Sequence, residues 1–198
     1  MKPLSMPGKS IRSATTWDFF KQFLESPLQV GSIVPSSKQL TRSMFLDVMP
    51  KAVKTYVEYG PGTGSFTAQA FSWFEDLQRQ VLIEINPVFQ KLLKQSYPEA
   101  EIYSSPNVIM ESLRNQVDLI VSGLPFTHIP WEVTRQTIDA SHDLLREGGS
   151  FRTFLYVQTF FLPKNRMLRA YLAQNFSQVR VRFVAKNFPP AFVIEARK

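Results

Sequence analysis

The sequence has no cysteine among its 198 residues, which excludes disulfide bonds, a thiolate nucleophile and a cysteine-based zinc site. His128 and His142 are the only histidines, too few for a convincing metal centre, so we expect no metal ion. No run of about 20 apolar residues is present, and no segment is therefore predicted to span a bilayer. The first residues also lack the apolar stretch of a secretory signal, which favours a cytoplasmic location.

Acidic residues are fewer than basic ones. The chain has 23 Lys and Arg against 16 Asp and Glu, which gives a net charge of +7. This excess favours association with a polyanion, either nucleic acid or anionic lipid headgroups, and charge alone does not choose between them. The hydrophobic fraction of 44% and the charged fraction of 20% are typical of a globular protein. The length is sufficient for one substantial core.

Glycine is also sparse, yet three of the eight glycines alternate within one short stretch. Residues 57–64 read Val-Glu-Tyr-Gly-Pro-Gly-Thr-Gly, so Glu58 comes just before the alternating glycines. An apolar run precedes the stretch and a helical pattern follows it, which predicts a strand, a sharp turn and a helix. Glycines in the turn let the backbone bend tightly and approach a ligand closely. A purely structural turn is the alternative interpretation.

A second acid, Glu84, ends the next apolar run. It follows Gly60 at roughly the 20-residue spacing expected between a nucleotide loop and its ribose-binding acid. Its carboxylate is placed to accept hydrogen bonds from a ribose diol. A carboxylate at Glu58 would repel a pyrophosphate but suit a cationic amino-acid group. S-adenosylmethionine carries an ammonium, a sulfonium and a ribose diol without any phosphate, so the pattern favours it over NAD.

Beyond residue 50 the pattern alternates between strands and helices. The predicted strands are 55–58, 80–84, 101–104, 117–122, 151–157, 179–184 and 192–195. The predicted helices are 65–74, 87–96, 130–146 and 164–175. This alternation predicts an α/β fold with a parallel, doubly wound sheet that ends in an antiparallel pair. The carboxyl ends of the strands then share one edge, and four polar residues would lie along it: Glu58, Glu84, Ser104 and Ser122.

The amino-terminal part of the chain follows a different pattern. Residues 15–26 are predicted to form an amphipathic helix with large apolar residues on one face. Ser36 is predicted to cap a second helix, with Pro50 just past its end. We therefore divide the chain into two parts. Residues 1–50 form an arm and helices that cover the site or contact a membrane, and residues 51–198 form the cofactor-binding domain.

Several short motifs carry a resemblance to a known family. They are residues 31–37 (Gly-Ser-Ile-Val-Pro-Ser-Ser), residues 58–64, residues 122–126 (Ser-Gly-Leu-Pro-Phe) and residues 187–191 (Asn-Phe-Pro-Pro-Ala). Together they resemble the class I S-adenosylmethionine-dependent methyltransferases. More narrowly, the chain resembles the bacterial phospholipid N-methyltransferases, which methylate phosphatidylethanolamine, and the related ornithine-lipid methyltransferases.

The resemblance implies a Rossmann-like fold with a seven-stranded, mostly parallel sheet, helices on both faces and the last strand inserted antiparallel. It also implies S-adenosylmethionine as cofactor and S-adenosylhomocysteine as product. Glu58 and the glycines Gly60, Gly62 and Gly64 would surround the methionine part, and Glu84 would bind the ribose. Further cofactor contacts are expected from Ile85, Ser105 and Ser122. After the third strand, many members carry an Asp or a similar polar residue that contacts the adenine amine. This chain reads Ser-Ser-Pro-Asn at residues 104–107, so Ser105 and Asn107 are the candidates there.

The resemblance further implies methyl transfer to the amine headgroup of a membrane lipid, from phosphatidylethanolamine toward phosphatidylcholine or on an ornithine lipid. Such an amine is mostly protonated at neutral pH and must lose a proton before attack. His128 and Tyr156 are the candidate bases, ahead of Glu132. Contact with the lipid is predicted for five aromatic residues: Trp17, Phe19, Phe20, Phe23 and Phe126. We expect a monomer bound peripherally to the inner face of the cytoplasmic membrane.

Two other functions remain open. An rRNA adenine N6-methyltransferase would share the glycine turn and the basic surface. Those enzymes usually read Asn-Leu-Pro-Tyr where this chain has residues 123–126, so the polar partner for an adenine is missing. The second is a non-catalytic module that binds S-adenosylmethionine. The intact glycines, Glu58 and Glu84 argue against it, and we expect a phospholipid rather than a nucleic acid as the partner.

Overall fold

The structure is a computed structural model that describes residues 37–198. Seven strands form one sheet in the order β3-β2-β1-β4-β5-β7-β6. Their bounds are β1 Thr55–Tyr59, β2 Arg79–Ile83, β3 Glu101–Tyr103, β4 Val117–Ser122, β5 Leu145–Tyr156, β6 Gln178–Val184 and β7 Ala191–Arg197. The first five strands pair in parallel, whereas β7 pairs antiparallel with both β5 and β6. The predicted seven-stranded, mostly parallel sheet with an inserted antiparallel strand is confirmed.

Helices cover both faces of this sheet. One face carries α1 (Lys38–Phe45), α2 (Ser65–Trp73) and α3 (Pro87–Ser96). The other carries α4 (Met110–Leu113), α5 (Trp131–Leu144), α6 (Val157–Phe160) and α7 (Pro163–Asn175). A cluster of buried hydrophobic side chains lies between the sheet and each helical layer. Within residues 37–198, no helix combines the length and the apolar character needed to cross a membrane.

The boundary between α5 and β5 differs from the prediction. The helix was expected to run to Arg146 and to be closed by two glycines, but it ends at Leu144 and β5 begins at once at Leu145. Leu145 pairs with β4, and the register then shifts across the two glycines. A Cβ at Gly149 would lie 2.9 Å from the carbonyl oxygen of Val117. The glycine therefore permits a close approach of β5 to β4 rather than ending a helix.

Helix α1 is fixed at both of its ends. Ser37 caps it by accepting a hydrogen bond from the Leu40 N–H at 3.2 Å, so the cap lies one residue after the predicted Ser36. At the other end the buried guanidinium of Arg152 donates to the carbonyl oxygens of Met44 and Leu46, at 3.0 and 2.7 Å. A charged side chain from the sheet thus satisfies carbonyl groups at the end of the helix and just beyond it.

The aromatic helix predicted at residues 15–26 lies outside the described residues. The same is true of four side chains predicted to contact lipid: Trp17, Phe19, Phe20 and Phe23. Two short helices, α4 and α6, and a single 3₁₀ turn at Pro106–Val108 were not predicted. Elements of three or four residues are too short to show a hydrophobic period.

Candidate functional site

The glycine turn between β1 and α2 has the conformation that the sequence predicted. Gly60, Gly62 and Gly64 have φ values of 66°, 56° and 85°, which other residues rarely adopt. A Cβ at Gly60 would lie 2.8 Å from Leu124 Cδ2, and one at Gly64 would lie 3.1 Å from the Tyr97 ring. A Cβ at Gly62 would meet no atom of the described residues, 37–198, within 4 Å. Two of the glycines therefore allow tight packing, whereas the third leaves open space in which a ligand can approach the backbone.

Glu84 ties the end of β2 to this turn. Its side chain is only 6% exposed, and its carboxylate accepts hydrogen bonds from the Gly62 N–H at 3.1 Å and the Asn86 N–H at 2.8 Å. Burial raises the pKa of Glu84, while the backbone N–H groups oppose that rise. A carboxylate can accept about four hydrogen bonds, so both oxygens retain room for the hydroxyl groups of a diol.

Glu58 lies beneath the same turn and is fully buried, with 0% exposure. Its Oε2 accepts hydrogen bonds from the hydroxyls of Tyr56 and Thr67, both at 2.8 Å. Within residues 37–198, its Oε1 is buried without a hydrogen-bond partner. Burial raises the pKa of Glu58 to about 7, against the effect of those two hydroxyls. Among the described residues this carboxyl group therefore keeps unused acceptor capacity, which suits a cationic group.

Sequence reasoning missed the two hydroxyl partners of Glu58. Tyr56 lies two residues earlier on the same strand, and alternate residues of a strand share a face, so its contact was accessible from the sequence. Thr67 lies in α2, and only the packing of α2 on β1 brings its hydroxyl to the carboxylate.

The end of β4 contacts the glycine turn directly. The Gly123 N–H donates to the carbonyl oxygen of Tyr59 at 2.8 Å, and a Cβ at Gly123 would lie 2.8 Å from the carbonyl oxygen of Gly60. Ser122 is buried, and its hydroxyl accepts a hydrogen bond from the Leu124 N–H at 3.3 Å. Gly123 is therefore a site residue that sequence reasoning missed. A side chain at this position would collide with the turn.

The predicted contacts after β2 and β3 occupy different environments. Ile85 is buried in the hydrophobic cluster on the α5 face. Ser105 is half-buried, and its hydroxyl accepts a hydrogen bond from the Asn107 N–H at 3.2 Å, while Asn107 is exposed. Contacts of Ser105 and Asn107 with an adenine stay a prediction.

The two candidate bases lie near the ends of neighbouring strands, His128 after β4 and Tyr156 at the end of β5. In the described part of the chain, no hydrogen bond joins them. His128 is exposed in the loop after β4, where its backbone N–H donates to the Pro125 carbonyl oxygen at 2.8 Å. Tyr156 is half-buried at the end of β5, and burial raises its pKa. A phenol with a raised pKa stays protonated at neutral pH, so it is better suited to orient an amine than to deprotonate it. Glu132 is paired with Arg135 on the surface of α5.

The position of Phe126 corrects one prediction. Its side chain is 1% exposed and packs edge-on against Phe151, with ring centroids 6.4 Å apart. Phe126 was predicted to contact lipid, but it belongs to the hydrophobic core between the sheet and α5. A large apolar ring next to a core strand gains more from complete burial than from a site at the surface.

Comparison with known proteins finds methyltransferases, in agreement with the geometry of the site. No protein-family model matches the chain. The chain is similar to the ornithine lipid N-methyltransferase of Singulisphaera acidiphila, with 24% identity over 181 residues, or 87% of this chain and 91% of that protein. The resemblance predicted from the short motifs is confirmed at this level of similarity.

Solved structures with the same fold include an O-methyltransferase from Bacillus cereus in complex with SAH. Its TM-score is 0.63 at 12% identity, with 96% of this chain and 93% of that chain covered. The spermidine synthase from Thermotoga maritima gives 0.58 at 20% identity, and this chain covers little more than half of it, 55%, with 78% of its own length. These likenesses show that the sheet has the Rossmann-like methyltransferase fold.

Proposed function

We propose that this protein is an S-adenosylmethionine-dependent N-methyltransferase that acts on the amine headgroup of a membrane lipid. One observation carries the proposal: at the carboxyl edge of a methyltransferase-type sheet, the buried carboxylate of Glu84 accepts a hydrogen bond from the Gly62 N–H, where an added Cβ would meet no atom of residues 37–198 within 4 Å. The similarity to an ornithine lipid N-methyltransferase supports a lipid as the acceptor.

The residues present fit the proposed cofactor. Glu84 would accept hydrogen bonds from the ribose hydroxyls with the lone pairs that Gly62 and Asn86 leave free. Glu58, whose Oε1 has no hydrogen-bond partner among residues 37–198, would provide negative charge toward the cationic methionine part. When bound, the cofactor supplies a methyl group on an activated sulfonium. The protein chiefly needs to align an amine lone pair with it.

The amine must also lose its proton. His128 is exposed in the loop after β4, and a neutral imidazole has one ring nitrogen that can accept a proton. Tyr156, with its protonated phenol, would accept or donate one hydrogen bond to the amine and so orient it. We therefore assign proton removal to His128 and orientation to Tyr156.

The rRNA adenine methyltransferase alternative is disfavoured by the backbone at residue 123. An asparagine there would place its Cβ 2.8 Å from the Gly60 carbonyl oxygen, so the side chain that holds an adenine amine could enter only if the two turns moved apart. The glycine at this position agrees with an acceptor other than a flipped base.

The test is methyl transfer from labelled S-adenosylmethionine. The protein is incubated with vesicles of phosphatidylethanolamine, vesicles containing ornithine lipid, or total RNA, and each mixture is then extracted with organic solvent. We expect label in the organic phase for at least one lipid. Label on RNA alone would identify the adenine methyltransferase instead, and no label on any acceptor would favour a binding module.

A pair of variants controls this assay. Glu84→Ala removes the ribose acceptor and should lower the transfer at subsaturating cofactor by about 10- to 100-fold, the loss expected for hydrogen bonds to a charged group. Glu99→Ala removes an exposed acid just before β3 and should leave the transfer unchanged. Equal activity of the two variants would contradict the role of Glu84.

A further inference from the structure

The net charge of the chain is concentrated in one segment. Residues 148–194 contain seven Lys and Arg and no Asp or Glu. The rest of the chain holds the remaining 16 basic residues and all 16 acidic ones, so it is neutral. The whole excess of +7 therefore belongs to β5, β6, the helices α6 and α7, and most of β7.

Part of this segment lies at the carboxyl edge of the sheet, where the glycine turn also lies. Helix α6 begins directly after the last residue of β5, and Tyr156 is in register with Ala191 at the start of β7. The Val157 N–H donates to the Pro190 carbonyl oxygen at 2.8 Å, which joins α6 to the turn between β6 and β7, residues 185–190.

Exposed apolar side chains are gathered at this place. Phe161 is 71% exposed and Phe188 is 92% exposed, and the nearby Leu162 and Phe183 are also exposed. Among residues 37–198, the exposed phenylalanines are these three and no others. A ring network connects two of them: Phe161 contacts Phe160 at 5.2 Å, Phe160 stacks on Phe192 at 4.0 Å, and Phe192 contacts Phe183 at 5.0 Å.

Four basic residues lie on the same elements as these rings. The Arg169 guanidinium lies 3.8 Å from the centre of the Phe160 ring and donates to the Phe160 carbonyl oxygen. Lys164 and Arg166 follow Leu162 in the first turn of α7, and Lys186 precedes Phe188 in the turn. In the part of the chain that the structure describes, none of these four cations is paired with an acid.

We propose that these residues form a docking surface for an anionic phospholipid bilayer. The carboxyl-edge patch consists of the apolar residues Phe161, Leu162, Phe183 and Phe188 and the basic residues Lys164, Arg166, Arg169 and Lys186. The basic side chains attract the anionic headgroups, and the protruding rings enter the boundary between headgroups and acyl chains. The exposed Leu162 favours hydrocarbon over RNA, because an aliphatic side chain offers no ring on which a base can stack.

This docking proposal rests on the proposed function, because the patch would hold the lipid surface at the sheet edge that carries the glycine turn. The Ser37 hydroxyl donates to Asn187 in the β6–β7 turn, and Asn187 in turn donates to the Pro189 carbonyl oxygen at 2.5 Å. Ser37, at the start of α1, therefore lies beside the patch. The protein would contact the membrane at this edge, where the amine of the lipid has to reach the cofactor site.

The test is sedimentation of the full chain with vesicles of phosphatidylcholine and phosphatidylglycerol in the absence of cofactor. Phe161→Ser with Phe188→Ser should lower the partition coefficient about tenfold, because two rings no longer enter the bilayer. Lys164→Gln, Arg166→Gln and Lys186→Gln together should lower it by about 100-fold at low salt, since each basic residue near the surface contributes severalfold. Thermal unfolding confirms that each variant is folded.

Matched variants elsewhere on the surface serve as controls. Met49→Ser with Leu92→Ser removes two exposed apolar side chains outside the patch, and Lys51→Gln, Lys91→Gln and Arg114→Gln remove the same charge. We expect these controls to bind vesicles within twofold of the unmodified protein. Equal losses in patch and control variants would overturn the proposal, as would patch variants that lose RNA binding but keep vesicle binding.

A second readout separates this proposal from the proposed function. Methyl transfer to lipid dispersed in detergent should survive in the patch variants, while transfer to vesicles should fall with binding. Patch-dependent vesicle binding without transfer to any lipid would support the docking surface and overturn the lipid methyltransferase. Unchanged transfer to vesicles by the patch variants would overturn the docking surface and leave the enzyme intact.

Discussion

A buried carboxyl group with an unpartnered oxygen is unusual in a folded chain, and in the part of the chain that the structure describes Glu58 is one. Removal from water penalises the charged form by several kcal/mol, and the hydroxyls of Tyr56 and Thr67 offset only part of that penalty. Without a cationic partner, the folded protein is therefore more stable with Glu58 protonated than with Glu58 ionised. A cationic ligand would reverse this preference, because it provides the missing partner for the charge.

This residue predicts a pH dependence of stability. The pKa of Glu58 is raised from 4.5 to about 7, so its stabilising contribution is complete below pH 4.5 and is lost as the pH rises through 7. Glu58→Gln keeps an acceptor for both hydroxyls but cannot ionise. Between pH 4 and 8 the unmodified protein should lose about 3 kcal/mol of unfolding free energy relative to this variant. Urea unfolding across this range measures it, and parallel pH profiles would contradict the assignment.

Two glycines at the site should respond differently to alanine. In Gly62→Ala the new methyl group meets no atom of residues 37–198, so the loss of stability comes from the positive φ and is about 1–2 kcal/mol. Cofactor affinity should fall more than tenfold, since the methyl group occupies the space for the ligand. In Gly123→Ala the methyl group meets the Gly60 carbonyl, and the loss of stability should be about 1–3 kcal/mol.

Calorimetric titration with S-adenosylhomocysteine and urea unfolding of both variants test this contrast. The informative quantity is the ratio of affinity loss to stability loss, which should be larger for Gly62→Ala than for Gly123→Ala. If Gly62→Ala binds as tightly as the unmodified protein, the open space above Gly62 is not part of the cofactor site.

At the scale of elements, Arg152 connects three parts of the fold. From the centre of β5 it reaches the end of α1 through two carbonyl groups and pairs with Glu195 of β7 at 3.2 Å. The guanidinium is fully buried, and burial lowers its pKa. An uncompensated charge in this position would be costly, so the three elements depend on one another.

Replacement of Arg152 should therefore have a large effect. Arg152→Met leaves Glu195 buried without its partner on β5 and should lower the unfolding free energy by about 3–5 kcal/mol. Arg180→Met, on the exposed surface of β6, should change it by no more than about 0.5 kcal/mol. The midpoint of urea unfolding provides the comparison. Similar midpoints for the two variants would show that the buried pair contributes little to the docking of α1.

At the scale of the whole molecule, the cofactor and the fold are linked by mass action. A ligand present at 100 times its dissociation constant adds about 2.7 kcal/mol to the unfolding free energy. For a chain of this size that corresponds to a rise in Tm of about 5–10 °C. S-adenosylhomocysteine should produce this rise in a thermal scan, and Glu84→Ala should show a smaller one at equal concentration. The absence of any rise at millimolar ligand would remove the basis of the proposed function.

Much of the site was predictable because its signals are local. Glu58, Gly60, Gly62, Gly64 and Glu84 all occupy the predicted strand ends and turn, since glycine content and strand periodicity act over a few residues. The resemblance implied the inserted antiparallel strand.

The end of α5 was not predictable in the same way. A pair of glycines after a helical pattern indicates a helix end, but here the same pair permits a close contact with β4. The burial of Phe126 likewise depends on its contact with Phe151 of a different strand. In both cases the deciding partner is remote in the sequence.

The amino-acid sequence by itself therefore determined the alternation of elements, the glycine turn and the two acids, because these depend on backbone preference and hydrophobic period. Only the tertiary structure decided that Gly123 touches Gly60, that Arg152 holds α1, and that exposed rings meet the basic residues at one sheet edge. Those features are distances between segments that fold together from separate parts of the chain. Such distances depend on how whole elements pack, and no local pattern encodes them.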